Sequence, residues 1–228
     1  DGTSDSSLLG HIDSSRKYSQ ERMNRRLAST FKLFIYAAAL EDGVIGVSRP
    51  VADAFATSSN PKALSIVSEV GEERVLDLAE KSGIRGAYRN SDYETVKQQY
   101  QEAEDKPNFV PLGLVKSNLL DITNSFAMIA NEGRLNHPYS VVRVRYPNNF
   151  SDSDDLQTCK VIYSREKTMR NASESLLKPE TAEKVWQLLQ SVVQSGTANE
   201  SVTSDFSLFN VGGKTGTSTD NEDVWFVG

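Results

Sequence analysis

Four stretches of the chain carry helical periodicity, and each is closed by a glycine. STFKLFIYAAALED (residues 29–42) starts at a serine and stops at Gly43, a residue that commonly ends helices. Residues 62–82 predict one or two further helices closing at Gly83. NLLDITNSFAMIANE (118–132) places Leu119, Ile122, Phe126 and Ile129 on one face, with Gly133 beyond its end. Residues 179–195 open with Pro179 in the first turn and Glu180 beside it. They turn Val185, Leu188, Leu189 and Val192 inward and end at Gly196. Period-two patterning is rarer. SVVRVRY (140–146) alternates, and CKVIYS (159–164) is expected to return beside it across the acidic loop NNFSDSDD. A strand around Lys214 and a last one over 224–227 are joined by a turn in STDNE. Residues 86–108 read as polar and without an element. Helices between hairpin-connected strands predict an α+β domain, an antiparallel sheet flanked by helices.

Composition narrows the class. The 228 residues are 38% hydrophobic and 25% charged, which is globular, and long enough to bury a real core. A net charge of -6 argues against nucleic acid as the main partner. The basic run Arg16, Lys17, Arg22, Arg25, Arg26 reads as a solvated flank. One cysteine, Cys159, excludes an internal disulfide framework and a Cys-rich metal site, and reads as a quiet half-buried thiol. The sequence has no apolar run of about 18 residues and no signal peptide at DGTSDSSLLG. It stops at DVWFVG inside an expected strand, so a domain trimmed at both ends is expected.

Candidate chemistry gathers in three places. VGGKTGTSTD (211–220) puts glycines in a strand, where a core-packing sequence would carry branched or aromatic residues. Only His11 and His137 are available as imidazoles, and neither sits near a G-x-S-x-G elbow, so a Ser-His-Asp hydrolase and a histidine metal site have little support. Ser29-Thr30-Phe31-Lys32 offers a different base. Three residues apart at a helix start, Ser29 and Lys32 share a face, and a buried lysine beside a second cation can lose its proton. Ser58-Ser59-Asn60 stands at a helix boundary and Lys214-Thr215-Gly216-Thr217 on a strand. Each triplet alone is weak. In this order they form the S-x-x-K, S-x-N, K-T-G set.

On these motifs the chain resembles the transpeptidase domain of penicillin-binding proteins, most of all the bifunctional kind with an upstream glycosyltransferase module. MNRRLASTFKLFIYAAALEDG, SSNPKAL, LGLVKSNLLDITNSFAMIANEGR, VVQSGTANES and VGGKTGTSTDNEDVWFVG carry the likeness, over roughly residues 10–228. Leu33 replaces the proline that usually follows the motif lysine, and the segments before Ser29 and between this helix and Ser58 are compressed. The resemblance implies a β-lactamase/transpeptidase-like fold and a partial domain over 1–228. It also implies a D,D-transpeptidase that cross-links peptidoglycan through a serine acyl-enzyme. Ser29 would be the nucleophile, Lys32 its base and Ser58 a proton relay. Asn60 would bind the peptide backbone, and Lys214 would supply the second positive charge. Thr215, Gly216 and Thr217 would bind substrate, with Gly212, Gly213 and Gly216 letting the strand edge lie against it. Backbone N–H groups of Ser29 and Thr217 would form the oxyanion hole. Expected partners are D-Ala-D-Ala stem peptides, an amine acceptor and β-lactams. No metal or organic cofactor is implied, and the parent protein is expected to be membrane-anchored and extracytoplasmic.

Three other readings stay open. A D,D-carboxypeptidase shares every motif. A serine β-lactamase would need a dedicated deacylating base, and no Glu-x-x-x-Asn loop is evident between Asn60 and Lys214. A non-catalytic β-lactam-binding or scaffold domain would be favoured by Leu33 and the compressed segments.

Overall fold

A computed structural model describes residues 24–84, 113–146, 160–165, 173–201, 210–218 and 221–228. Expectations for His11, Arg16, Lys17, Arg22, Cys159, residues 86–108 and the acidic loop lie outside these residues. Among the described residues, a short strand β1 (Arg25–Arg26) leads into a 3-10 turn (Ala28–Phe31). This turn runs directly into helix α1 (Lys32–Glu41). Helices α2 (Arg49–Ala56), α3 (Asn60–Val70) and α4 (Glu72–Lys81) follow. Then come β2 (Lys116–Ser117), α5 (Leu119–Ala130), β3 (Arg134–Asn136), β4 (Arg143–Tyr146), β5 (Lys160–Ser164) and β6 (Ser173–Ser175). The long helix α6 (Pro179–Ser195) and strands β7 (Lys214–Thr217) and β8 (Val224–Val227) complete the order.

The chain divides into two compact units, one running to Leu135 and resuming at Ser175, the other spanning Asn136–Glu174. In the first, α1 is buried all round: Leu33, Phe34, Ile35, Tyr36, Ala37, Ala38 and Ala39 are at most 1% exposed. A helix apolar on every side belongs inside a core rather than on its surface. Helices α3, α4 and α6 pack around it, and α2 packs on α6. On α6 the inward residues are those the pattern predicts, Val185, Leu188, Leu189 and Val192. Helix α5 buries Ile122, Phe126 and Ile129, but Leu119 is 66% exposed, because it falls at the first position after the Asn118 cap. The 62–82 stretch is two helices, divided at Gly71, whose φ of 89° takes the backbone out of helical geometry. Helix α2 was not anticipated, although Ser48, Pro50 and the buried pair Val51 and Phe55 mark it.

The strands are antiparallel in each of three registered pairs, β1–β2, β4–β5 and β7–β8. Among the described residues they form two-stranded ladders rather than one broad sheet. In the second unit, the predicted 140–146 strand is shortened to β4. Its pairing with β5 slips at Val144/Arg145, and Val141, Val142 and Val144 are exposed. His137 is exposed there, its carbonyl accepting a hydrogen bond from Arg165 Nη2 (3.0 Å). Arg25 is more than a solvated flank. Its Nε pairs with Asp223 and its Nη2 donates to the Glu222 carbonyl (3.1 Å), tying β1 to the start of β8.

Candidate active site

Ser29 lies in the 3-10 turn ahead of α1, and that turn is clamped from two sides. The Leu27 and Ala28 N–H groups donate to the carbonyls of Val115 and Gly113 (both 2.9 Å). Ala28 holds a left-handed φ of 47°. Gly113 has φ +105°, and a Cβ there would fall 1.9 Å from the Ala28 carbonyl oxygen, so only glycine lets the two backbones approach. Sequence reasoning passed over Gly113, which carries no chemistry of its own.

One turn on, Lys32 is fully buried. Its Nζ lies 3.0 Å from Ser29 Oγ, 3.0 Å from Ser58 Oγ, 2.6 Å from the Ser58 carbonyl and 2.6 Å from Asn60 Oδ1. Two of these partners, the carbonyl and the amide oxygen, can only accept. A neutral amine has two N–H groups to give them and a lone pair left for a hydroxyl proton. The contact set therefore accommodates a deprotonated lysine that accepts from Ser29. With Asn60 Oδ1 facing Lys32, the amide N–H₂ of Asn60 remains as a donor.

Ser58 sits where helix α2 ends. Its N–H donates to the Phe55 carbonyl and the Ser59 N–H to the Ala54 carbonyl, the bond pair of a Schellman closure. The left-handed position of that closure usually carries glycine, yet Ser58 occupies it with φ 57°. Its Oγ also meets Lys214 Nζ at 3.0 Å. Lys214, like Lys32, is fully buried. Burial pushes the Lys32 amine down to about 8. Burial, and then the charge of Lys32, push Lys214 further, to about 7. The charge effect within the pair thus falls on Lys214, while burial alone lowers Lys32. The Lys214 ammonium stands 5.7 Å from the Phe55 ring centre, which favours charge on Lys214.

Strand β7 sends alternate residues to opposite sides. Lys214 and Gly216 face the Ser29 turn, whereas Thr215 and Thr217 face away. A Cβ on Gly216 would lie 2.9 Å from the Leu27 carbonyl oxygen and 3.1 Å from the Thr30 nitrogen. On Gly213 it would strike the Phe226 ring at 2.5 Å, and on Gly212 it would press Trp186 at 3.0 Å. These glycines are demanded by the protein's own packing. Three further bonds join the ends of the site. Trp225 Nε1 donates to the Arg26 carbonyl (2.8 Å), and Ser218 and Asp223 exchange hydrogen bonds that close the β7–β8 turn. Thr215 Oγ1 contacts the hydroxyl of Thr197, a residue that sequence reasoning quoted but did not single out.

The family model described as penicillin binding protein transpeptidase domain matches residues 46–228. That span holds Ser58, Asn60 and Lys214, while Ser29 and Lys32 precede it. A curated relative, penicillin-binding protein 1A of Aquifex aeolicus, is 30% identical over 175 residues, covering 77% of this chain and 19% of that protein. Another, from Rickettsia bellii, is 26% identical and covers 90% of this chain and 28% of the relative. The chain thus spans less than a third of the length of these relatives. Among solved structures, the penicillin-binding protein PonA1 from Mycobacterium tuberculosis superposes with a TM-score of 0.64 at 17% identity, over 94% of this chain and 60% of that one. The D,D-transpeptidase domain of a peptidoglycan glycosyltransferase from Eggerthella lenta gives 0.61 at 20%, over 89% and 56%. Both likenesses show the fold.

Proposed function

Because this chain belongs to the penicillin-binding protein transpeptidase domain family, we propose that it carries the acyl-transfer site of a D,D-transpeptidase acting on peptidoglycan stem peptides. The observation that carries the reading is the single hydrogen-bonded cluster of Ser29, Lys32, Ser58, Asn60 and Lys214, gathered from three separated segments around two buried amines.

The chemistry follows from the contacts. Neutral Lys32 takes the Ser29 hydroxyl proton as Oγ attacks the carbonyl of the penultimate D-alanine. The oxyanion forms against the backbone N–H groups of Ser29 and Thr217, and removing one such donor costs about 3 kcal/mol of transition-state stabilisation. As the intermediate collapses, the C–N bond breaks. The leaving D-alanine nitrogen takes a proton through Ser58, whose Oγ touches both lysines. An amine of a second stem peptide, or water, then attacks the ester and frees Ser29. Asn60 Nδ2 hydrogen-bonds the donor peptide, and Lys214 with Thr215 and Thr217 receives its terminal carboxylate. β-Lactams present the same acyl and carboxylate groups, and a structure of PonA1 holds penicillin V.

Stem peptides lie outside the cytoplasmic membrane, so the reading puts this chain on the extracytoplasmic side, on a membrane-anchored parent with a glycosyltransferase module. Among the described residues, no helix is long and apolar enough to cross a membrane. The test is incubation with a D-Ala-D-Ala stem peptide, with and without an amine acceptor. Release of D-alanine together with a cross-linked product is expected. Release without any cross-link would assign a carboxypeptidase, and no release would remove the catalytic reading.

A further inference from the structure

Beside the site stands a hydroxyl that the mechanism above does not use. Thr197 follows the end of helix α6, and its Oγ1 is hydrogen-bonded to Oγ1 of Thr215. The segment holding it is fixed on both sides. The Thr197 N–H donates to the Ala56 carbonyl (3.1 Å), at the end of the helix whose next turn presents Ser58. Gly196 makes that approach possible, because a Cβ there would lie 2.4 Å from the same carbonyl oxygen. The buried Ala198 donates back to the Val192 carbonyl (3.1 Å), and Asn199 Nδ2 donates to the Val193 carbonyl (3.2 Å). Thr197 itself is exposed. So an outward-facing hydroxyl is held rigidly, referenced to the same helix end as Ser58 and touching the threonine next to Lys214.

A bond between two hydroxyls uses one proton and leaves the other free to donate outward. On the other face of strand β7 the buried Lys214 amine donates to Ser58 Oγ and the Thr215 carbonyl (both 3.0 Å), so it sets positive charge behind the threonine pair. An outward hydroxyl donor with positive charge behind it suits a carboxylate oxygen. We propose that Thr197 is a substrate-contacting residue that binds the terminal carboxylate together with Thr215, and so selects ligands whose carboxylate is free. The inference rests on the transpeptidase reading and adds to it a residue outside the three motifs.

The test compares wild type, Thr197→Val and Thr197→Ser in acylation by benzylpenicillin and by its methyl ester, with intact mass as readout. Valine keeps the shape without the hydroxyl; serine keeps the hydroxyl. Thr197→Val should lower the acylation efficiency for benzylpenicillin about tenfold, mostly through weaker binding, since hydrogen bonds to charged groups are the strong ones. Thr197→Ser should stay within about twofold of wild type, and on the methyl ester, which offers no carboxylate charge, the difference between wild type and Thr197→Val should shrink to about twofold. A valine variant equal to wild type, or one equally impaired on both ligands, overturns the role of Thr197 while leaving Ser29 chemistry intact. A wild type that forms no adduct overturns the transpeptidase reading, and this inference with it.

Discussion

Two buried amines share one hydroxyl oxygen, and that pairing decides how the site should respond to pH. With Lys214 near 7 and Lys32 near 8, the pair carries two charges in acid, one around neutrality and none in base. With Lys32 as the base, the acylation rate should rise as pH climbs through about 8, where its amine gives up its proton. A stopped-flow profile that stays flat from pH 6 to 9 would contradict this assignment. Lys32→Arg keeps the charge but cannot give up its proton, and should lose on the order of a thousandfold in rate. Stability follows the same protons. Both folded values lie below the ordinary 10.5, so between about 7 and 10.5 the unfolded chain binds more protons and the fold gains stability as pH rises. Replacing Lys214 by Met should flatten that rise in thermal unfolding scans. Ser58 offers a separate test. Ser58→Ala and Ser58→Gly both remove the hydroxyl, but only alanine keeps the left-handed strain at φ 57°. The glycine variant should be more stable than the alanine variant by about 1 kcal/mol, with both poorly active.

At the scale of elements, the site depends on how closely a strand and a turn can approach. Gly216→Ala would place a Cβ 2.9 Å from the Leu27 carbonyl oxygen and the Thr30 side chain, pushing β7 off the turn that carries Ser29. Overpacking of this kind costs about 1 to 3 kcal/mol, and acylation should fall with it. A variant as stable and as fast as wild type would show that the contact is dispensable. Much of this level was legible in sequence. The long helices carry strong periodicity and glycine stops, and β7 and β8 lie where their patterns end. The strands β1 and β2 are two residues long, too short for any period, and they form because Arg25 and Arg26 pair with Ser117 and Lys116, remote in sequence. Gly113 and Thr197 were missed for the same reason, since their importance comes from a neighbour about 85 or 18 positions away. Gly212, Gly213 and Gly216 were noticed, but their cause is Trp186, Phe226 and the Ser29 turn, which no local pattern displays.

For the whole molecule, Ser29, Lys32 and the core are one continuous object. Helix α1 begins with Lys32 and continues as Leu33 to Ala39, the most enclosed run in the first unit. Phe34 is fully buried with its ring 5.1 Å from that of Phe31. Phe34→Ala should cost about 3 to 5 kcal/mol, and in denaturant titrations the loss of acylation should track unfolding. Activity lost well before unfolding would separate the site from the core. The motif triplets were readable because they state chemistry in few letters. Their meeting was implied only by the family resemblance, because it requires the end of α2, the start of α1 and strand β7 to converge on Ser58. That convergence is tested most directly by intact-protein mass spectrometry after benzylpenicillin, followed over hours, with Ser29→Ala beside the wild type. A long-lived single adduct on the wild type and none on the variant is the predicted result. An equal adduct on both, or none on a folded wild type, would contradict it.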